Sequence, residues 1–187
     1  MSELPLQRFL LEAIAVLDRL HIPYMVMGGF AVRTWGVPRP TYDADVAVQV
    51  ASGGLSRLPD ALEEAGFQVS EEFKKGWLDT VAGMGKVKVT RFEGSTVWDI
   101  DLFLVQGEFL TSALNRRRTA RFAGRDAWFL SAEDLILLKL IAGPRKDQLD
   151  VEEILKVTRE LDLEHLRSWA TRLCVLDRLE EFLRELG

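Results

Sequence analysis

Four aspartates form two Asp-x-Asp pairs, and each pair lies in an apolar segment. Asp43 and Asp45 open "DADVAVQV", while Asp99 and Asp101 lie in "VWDIDLF". Both segments have the composition of strands, and side chains two residues apart on a strand point to the same face of the sheet. Two carboxylates on one face repel each other unless a cation, a basic partner or water compensates their charge.

Magnesium is the cation that this pattern favours, because Mg²⁺ takes hard oxygen ligands and is usually held by one or two carboxylates together with substrate phosphates. If the two strands are neighbours, three carboxylates can meet from strands about 4.8 Å apart. Such a cluster can hold two metal ions about 3.5–4 Å apart, the arrangement that stabilises phosphoryl transfer. A solvated or salt-bridged pair is the alternative for each motif.

A pair of glycines, Gly28-Gly29, stands between an apolar run and the helical pattern "FAVRTW". Backbone N–H groups at the start of a helix bind phosphate, and glycine allows the phosphate to approach closely. A tight turn is the alternative explanation. Arg39 and Thr41 lie in the loop before the first aspartate pair, where they could reach the same phosphate. An ordinary surface position is the alternative for Arg39.

The periodicity of the chain predicts the elements that position these residues. Their order is helix, strand, helix, strand, helix, several strands and then helices. This order predicts an α/β or α+β fold with a mixed sheet flanked by helices and a helical C-terminal portion. A catalytic core is expected at residues 1–130, with residues 131–187 completing the site and the core. The tryptophans are expected in the core or at its rim: Trp35, Trp77, Trp98, Trp128 and Trp169.

Lys139 is a lone cation in the apolar helical pattern "LILLKLIAG", which Ser131 and Asp134 precede as a capping-box signature. One interpretation is a lysine whose stem packs while its amine reaches water. The other is a contact to phosphate. In that case the counter-charge is expected to be a triphosphate or the aspartate pairs.

Length and composition limit the classes of protein to which the chain can belong. It has 187 residues, a net charge of −5 and a single cysteine, Cys174. These values fit one domain in a reducing cytoplasm, and no segment has the length of a membrane span. The net charge disfavours a protein built mainly to bind nucleic-acid backbone.

The basic run "NRRRTAR" (115–121) is expected to be a solvated face, with an RNA or acidic-partner patch as the alternative.

Two longer blocks resemble a known family. "GGFAVRTWGVPRPTYDADV" and "SAEDLILLKLIAGPRKDQLDVEEIL" are similar to nucleotidyltransferases of the DNA polymerase beta superfamily. The closest resemblance is to small bacterial nucleotidyltransferase-like proteins that include abortive-infection and toxin–antitoxin members. The middle of the chain matches only at "DIDLF", so the resemblance covers about two thirds of the chain. It implies a nucleotidyltransferase-type fold and magnesium-dependent transfer of a nucleoside monophosphate from an NTP, with release of pyrophosphate.

The resemblance also implies roles for matching residues. Gly28 and Gly29 would contact the nucleotide phosphates, and two magnesium ions would be held by Asp43, Asp45 and Asp101. Asp99 is the competing assignment for the third carboxylate. Lys139 would contact phosphate, with Asp147 or Asp150 supporting the site.

The sequence does not distinguish among three acceptors: a tRNA end, a protein side chain and a small molecule. A partner protein or a homodimer is compatible with the family. The alternative function is a catalytically silent nucleotide- or partner-binding module of the same fold, such as a toxin–antitoxin component.

Overall fold

The computed structural model of the protein describes residues 5–50, 57–74, 79–81, 84–143 and 145–186. The helices in these ranges are α1 (Pro5–Arg19), α2 (Gly28–Trp35), α3 (Leu58–Glu64), α4 (Glu71–Lys74), α5 (Gly107–Arg116), α6 (Ala132–Ala142), α7 (Arg145–Val157), α8 (Leu163–Arg172) and α9 (Leu176–Leu186). The strands are β1 (Tyr24–Val26), β2 (Asp43–Val48), β3 (Gln68–Val69), β4 (Asp79–Val81), β5 (Met84–Glu93), β6 (Thr96–Leu104), β7 (Arg118–Phe122) and β8 (Arg125–Phe129).

The strands form one mixed sheet in the order β3-β5-β6-β2-β1-β8-β7, and β4 pairs with β5. β2 runs parallel to β6, and β1 runs parallel to β8. The other neighbouring pairs are antiparallel. The predicted fold class is therefore confirmed: a mixed sheet flanked by helices, with α6 to α9 following β8.

The register between β2 and β6 brings the two aspartate pairs together. Asp43 pairs with Asp99 and Asp45 pairs with Asp101. Because residues that pair across a ladder point to the same face, all four carboxylates belong to one face of the sheet. On the other side of β6, β5 places Lys88 beside Asp101. The expectation that the two strands are neighbours is confirmed.

The helices pack on this sheet through their apolar residues, and the core is one continuous cluster. In α6 the apolar residues surround almost the whole helix, so Leu135, Ile136 and Leu137 are all buried. The helix begins at the predicted cap, where the Ser131 hydroxyl accepts a hydrogen bond from the backbone N–H of Asp134 at 3.1 Å. Gly143 ends it in the left-handed conformation, with φ of 79°.

The basic run of residues 115–121 is more than a solvated face, because its residues end α5 and make up most of β7. β7 is the last strand in the sheet order, and Arg118 and Arg121 are exposed on it. Periodicity does not indicate this short strand, because its apolar residues do not alternate regularly.

The tryptophans in the described ranges lie in the core or at its rim, as expected. Trp35, Trp98 and Trp169 pack against the core, and Trp128 is 37% exposed. Trp77 lies outside the described residues. No helix among the described residues is long and apolar enough to cross a membrane.

Candidate active site

Asp45 is the most perturbed carboxylate on the aspartate face. Its burial, together with the negative charges of Asp43 and Asp101, raises its pKa from 3.8 to about 6. The positive charges of Lys139 and Lys86 act in the opposite direction. A carboxyl group whose neighbours raise its pKa towards neutral pH is typical of a functional site. Several like charges have been placed close together there despite their electrostatic repulsion.

Asp101 is paired on one side only. Its Oδ2 atom accepts a hydrogen bond from the Lys86 amine at 2.8 Å, and both side chains are largely buried. Its Oδ1 atom is buried and has no hydrogen-bond partner in the part of the chain that the structure describes. A buried carboxylate oxygen without a partner is energetically unfavourable, so this atom has the capacity to bind a cation or a donor.

Asp99 is paired through both oxygens. One accepts from the Lys88 amine at 2.8 Å and the other from the Thr90 hydroxyl at 2.9 Å. Burial acts to raise the pKa of Asp99, but these two hydrogen bonds outweigh it and leave the pKa below its ordinary value. Of the two competing carboxylates, Asp101 is therefore the one next to Asp45 that has a free oxygen.

The carboxylates are chemically suitable ligands for a divalent cation, but their spacing in this structure is not that of a metal site. Hard carboxylate oxygens on one face, one of them buried and unpaired, are suitable donors for Mg²⁺. In the described residues, however, no group of three acidic, histidine or cysteine side chains is arranged to hold a metal ion. The Lys86 amine occupies one oxygen of Asp101, which leaves the other oxygen for a metal ion.

Gly28 and Gly29 form the first turn of α2, directly against the aspartate face. Gly28 has φ of +57°, and a Cβ atom there would lie 1.9 Å from Asp45 Oδ2. A Cβ atom on Gly29 would lie 2.4 Å from the hydroxyl oxygen of Thr41. Asp45 and Thr41 therefore lie so close to the backbone that both positions must be glycine, whether or not a ligand is bound. The first N–H groups of α2 have no intrahelical partners, as at the start of any α-helix.

Thr41 lies beside the first aspartate. Its hydroxyl oxygen is 3.1 Å from Asp43 Oδ1 and 3.1 Å from the backbone oxygen of the same residue. Asp43 itself is exposed at the start of β2. This end of the site is thus polar and open to solvent.

Arg39 and Lys139 share one buried acidic partner. Arg39 binds Asp150 with two hydrogen bonds of 2.7 and 2.8 Å, and this side-chain bonding raises its pKa. Lys139 lies 2.9 Å from Asp150 Oδ2 and also donates to Asp147. Burial acts to raise the pKa of Asp150, but the hydrogen bonds from Arg39 and Lys139 outweigh it and lower the pKa.

This network corrects the expected counter-charge of Lys139. The sequence predicts a triphosphate or the aspartate pairs, whereas the direct ion pairs are with Asp147 and Asp150. The amine is not free in solvent, since its side chain is only 12% exposed. Lys139 nevertheless lines the same cavity as Asp45 and lowers the pKa of that carboxylate.

A cavity of about 430 Å³ opens beside Asp45. It lies between the sheet face, α5 and α6, and its wall is mostly apolar. Its polar wall residues include Asp45, Lys139 and Asp147. Its apolar side chains include Met27, Met84, Phe103, Phe109, Leu135 and Leu138.

The structure thus brings most of the sequence-predicted site residues together: the aspartates, the two glycines and Thr41 around one end of α2, with Lys139 across the cavity. Arg39 joins them through Asp150 and Lys139. Sequence reasoning missed Lys86 and the apolar cavity. Lys86 lies on β5, and its approach to Asp101 depends on the register between β5 and β6.

Comparison with solved structures identifies the fold. The antibiotic-resistance factor ANT(2'')-Ia matches with a TM-score of 0.59 and 17% identity, over 94% of this chain and 96% of the other. The lincosamide antibiotic adenylyltransferase LnuA matches with a TM-score of 0.57 and 13% identity, over 84% and 99%. An antigenic nucleotidyltransferase-like protein from Paracoccidioides brasiliensis matches with a TM-score of 0.51 and 20% identity, over 83% and 76%.

At these identities the likeness shows the fold, which is nucleotidyltransferase-like as the sequence resemblance implied. The sequence matches no protein-family model and no curated protein.

Proposed function

We propose that the protein is a magnesium-dependent nucleotidyltransferase, which moves a nucleoside monophosphate from an NTP to an acceptor hydroxyl. The observation that carries this proposal is the pairing of Asp45 with Asp101 on adjacent strands. One of these carboxylates has a pKa of about 6, and the other has a buried oxygen without a partner in the described residues. The nucleotidyltransferase-like fold agrees with this chemistry.

Asp43, Asp45 and Asp101 would hold the magnesium. When bound, Mg²⁺ would neutralise charge on the phosphoryl oxygens. Asp99 is the weaker choice for the third carboxylate, because the Lys88 amine and the Thr90 hydroxyl already occupy its oxygens.

The other proposed roles concern the triphosphate. The backbone N–H groups of Gly28 and Gly29 would bind its phosphates, as the start of a helix commonly does. Thr41 would donate its hydroxyl to phosphate. Lys139 and Arg39 would contribute positive charge. Until the substrate arrives, Asp150 pairs with both cations and Asp147 pairs with Lys139.

The reaction is a single in-line displacement. The acceptor oxygen forms a bond to the α-phosphorus, and the bond from that phosphorus to the bridging oxygen of the β-phosphate breaks. Pyrophosphate leaves with the electrons of the broken bond, and the hydroxyl proton is released to water.

Two of the solved structures favour a small molecule among the three candidate acceptors. LnuA is described as lincomycin-bound, and ANT(2'')-Ia as being in complex with adenylyl-2''-tobramycin. A tRNA end is disfavoured by the net charge of −5, since affinity for nucleic acid that is independent of sequence comes largely from cationic contacts to phosphate.

The proposal is tested by incubating the protein with each α-labelled NTP, Mg²⁺ and a cell lysate. We expect label to move from one or more NTPs onto an acceptor, with release of pyrophosphate. The Asp45→Asn variant is the matched control, because it keeps the size of the side chain and removes the charge. Equal transfer by the wild type and Asp45→Asn would contradict the proposal.

A catalytically silent nucleotide-binding module is the second candidate. It is favoured by the ion pairs between Lys86 and Asp101 and between Arg39 and Asp150, which already neutralise the groups that catalysis would use. Thermal stabilisation by an NTP without pyrophosphate release, in the presence of Mg²⁺ and lysate, would support this candidate over the first.

A further inference from the structure

We infer that the cavity beside Asp45 binds the acceptor, and that the acceptor is a small, largely apolar molecule carrying a hydroxyl group. This inference rests on the proposed function. The cavity measures about 430 Å³, which lies in the range of sites that enclose small ligands. A folded macromolecule cannot enter a space of that size.

The direction of attack places the acceptor in the cavity. Of the proposed phosphate contacts, Gly29, Thr41 and Arg39 lie towards the amino end of β2 and outside the cavity wall, whereas Gly28 and Lys139 line the cavity together with Asp45. The cavity extends the other way along the strands, from Asp45 to Phe103, which follows Asp101 by two residues on the same face. In an in-line displacement the attacking oxygen lies opposite the leaving oxygen. With pyrophosphate leaving towards Thr41 and Arg39, the attacking oxygen would approach from the cavity side of Asp45.

The chemistry of the wall defines the class of acceptor. Met27, Met84, Phe103 and Leu138 present thioether, aromatic and aliphatic surface, which favours an apolar body. Asp45 and Lys139 provide polar groups where the hydroxyl would be placed for reaction, and Gln106 and Glu108 add polar groups beyond Phe103. An apolar body and one polar contact point together fix the orientation of a small ligand.

The charges of the wall disfavour RNA as the occupant. Lys139 is the one lysine or arginine that lines the cavity among the described residues. Its charge is balanced by Asp147 and Asp150, and Asp45 adds a further negative charge. A phosphodiester chain needs an excess of positive charge along its path, so its backbone would be repelled here.

The first test uses a neutral apolar dye, N-phenyl-1-naphthylamine, which needs no knowledge of the acceptor. We expect the dye to bind the wild-type protein with a rise in fluorescence, and the affinity for each NTP to stay within about twofold when the dye is saturating. Loss of the dye on addition of an NTP would show that the nucleobase occupies the cavity. That result would overturn the inference and leave the proposed function standing.

The second test fills the cavity. Leu138→Trp places a larger side chain in the cavity wall, and Leu149→Trp makes the same change at an exposed position of α7 that is outside the wall. We expect Leu138→Trp to weaken dye binding by about tenfold or more while NTP affinity stays within about twofold, and Leu149→Trp to change neither. A wild type that does not bind the dye, or a Leu138→Trp variant that binds it as tightly as the wild type, would overturn the inference.

The third test identifies the class of acceptor. The lysate is divided by dialysis into small molecules and retained macromolecules, and each fraction is supplied with the protein, α-labelled NTP and Mg²⁺. We expect labelled product from the dialysable fraction in the wild type and Leu149→Trp, and much less in Leu138→Trp. Transfer to the retained fraction alone would overturn the inference while supporting the proposed function. Absence of NTP binding in the wild type would instead reject the proposed function itself, and the inference with it.

Discussion

At the scale of single residues, Asp45 carries the largest electrostatic cost of the site. Its pKa in the folded protein, about 6, lies above the ordinary value of 3.8. The folded state therefore holds the proton more tightly than the unfolded state, and ionising Asp45 destabilises the fold. This penalty is absent below about pH 4, grows as pH rises towards 6 and is complete above that value. It amounts to at most about 3 kcal/mol.

We expect Asp45→Asn to remove this penalty together with transfer. Relative to the wild type, the free energy of unfolding of the variant should rise between about pH 4 and about pH 7 without divalent metal. Urea unfolding at several pH values measures the difference. Asp60→Asn, at an exposed position on α3, is the control. A difference between Asp45→Asn and wild type that is independent of pH would contradict the assigned burial and charge environment.

Lys86 should compete with metal for Asp101. Replacing it by Met frees the second oxygen of that carboxylate and removes a nearby positive charge. We expect Lys86→Met to tighten Mg²⁺ binding by roughly tenfold, as measured by isothermal titration calorimetry. Lys88→Met is the matched control, since Lys88 pairs with Asp99 on the same strands. A larger effect of Lys88→Met would make Asp99 the third carboxylate.

Lys139 should contribute to stability as well as to nucleotide binding. Removing the amine leaves the largely buried Asp147 with an unbalanced charge, and Asp150 with Arg39 alone. We expect Lys139→Met to lose about 3 kcal/mol of unfolding free energy and to bind NTP more weakly. Adding Asp147→Asn should restore part of the stability and none of the NTP affinity. Full stability of Lys139→Met in urea unfolding would mean that its ion pairs contribute little.

At the scale of elements, the start of α2 depends on the absence of a side chain at Gly28. Alanine there meets two penalties, the positive φ and the overlap with Asp45 Oδ2. Gly94 is a matched site, because its φ is 61° and nothing lies within 4 Å of the position that a Cβ atom would take there. We expect Gly94→Ala to lose about 1 kcal/mol, from backbone strain alone.

Gly28→Ala should lose at least about 1 kcal/mol more than Gly94→Ala, and it should abolish transfer by displacing Asp45. Urea unfolding of both variants gives the comparison. Equal losses would indicate that the Asp45 side chain moves aside at little cost, and the close contact would then not fix its position.

Elements also mark the limit of sequence reasoning. The shared facing of each aspartate pair follows from the period of a strand, which is a local property. The capping of α6 by Ser131 is local in the same way. The bond between Arg39 and Asp150 joins residues 111 positions apart. Partners at that distance are set by the packing of α7 against α2, which no periodicity of the chain encodes.

At the scale of the whole molecule, we propose that the two predicted portions fold as one unit. The predicted core, residues 1–130, and the predicted C-terminal portion, 131–187, share a single apolar cluster. Ile136, Val151 and Leu166 are buried in it although they come from the C-terminal portion. Without these helices the sheet would expose its apolar face to water, at a cost of about 25 cal/mol per Å².

We therefore expect residues 1–130 expressed alone to lack a cooperative unfolding transition and to bind an apolar dye. Circular dichroism during urea unfolding measures the first, and fluorescence the second. Co-expression with residues 131–187 should restore one cooperative transition. A cooperative transition of residues 1–130 alone would establish two independent folding units.

The arginines of β7 have a consequence for solubility. The outermost strand of a sheet offers unpaired backbone groups to any other extended chain, which is a route to polymerisation. β7 ends the sheet order and carries Arg118 and Arg121 exposed along it. A second molecule adding itself at this edge would have to bring its own arginines into contact with these like charges. The same residues that looked like a solvated basic face in the sequence thus oppose growth of the sheet from one molecule into the next.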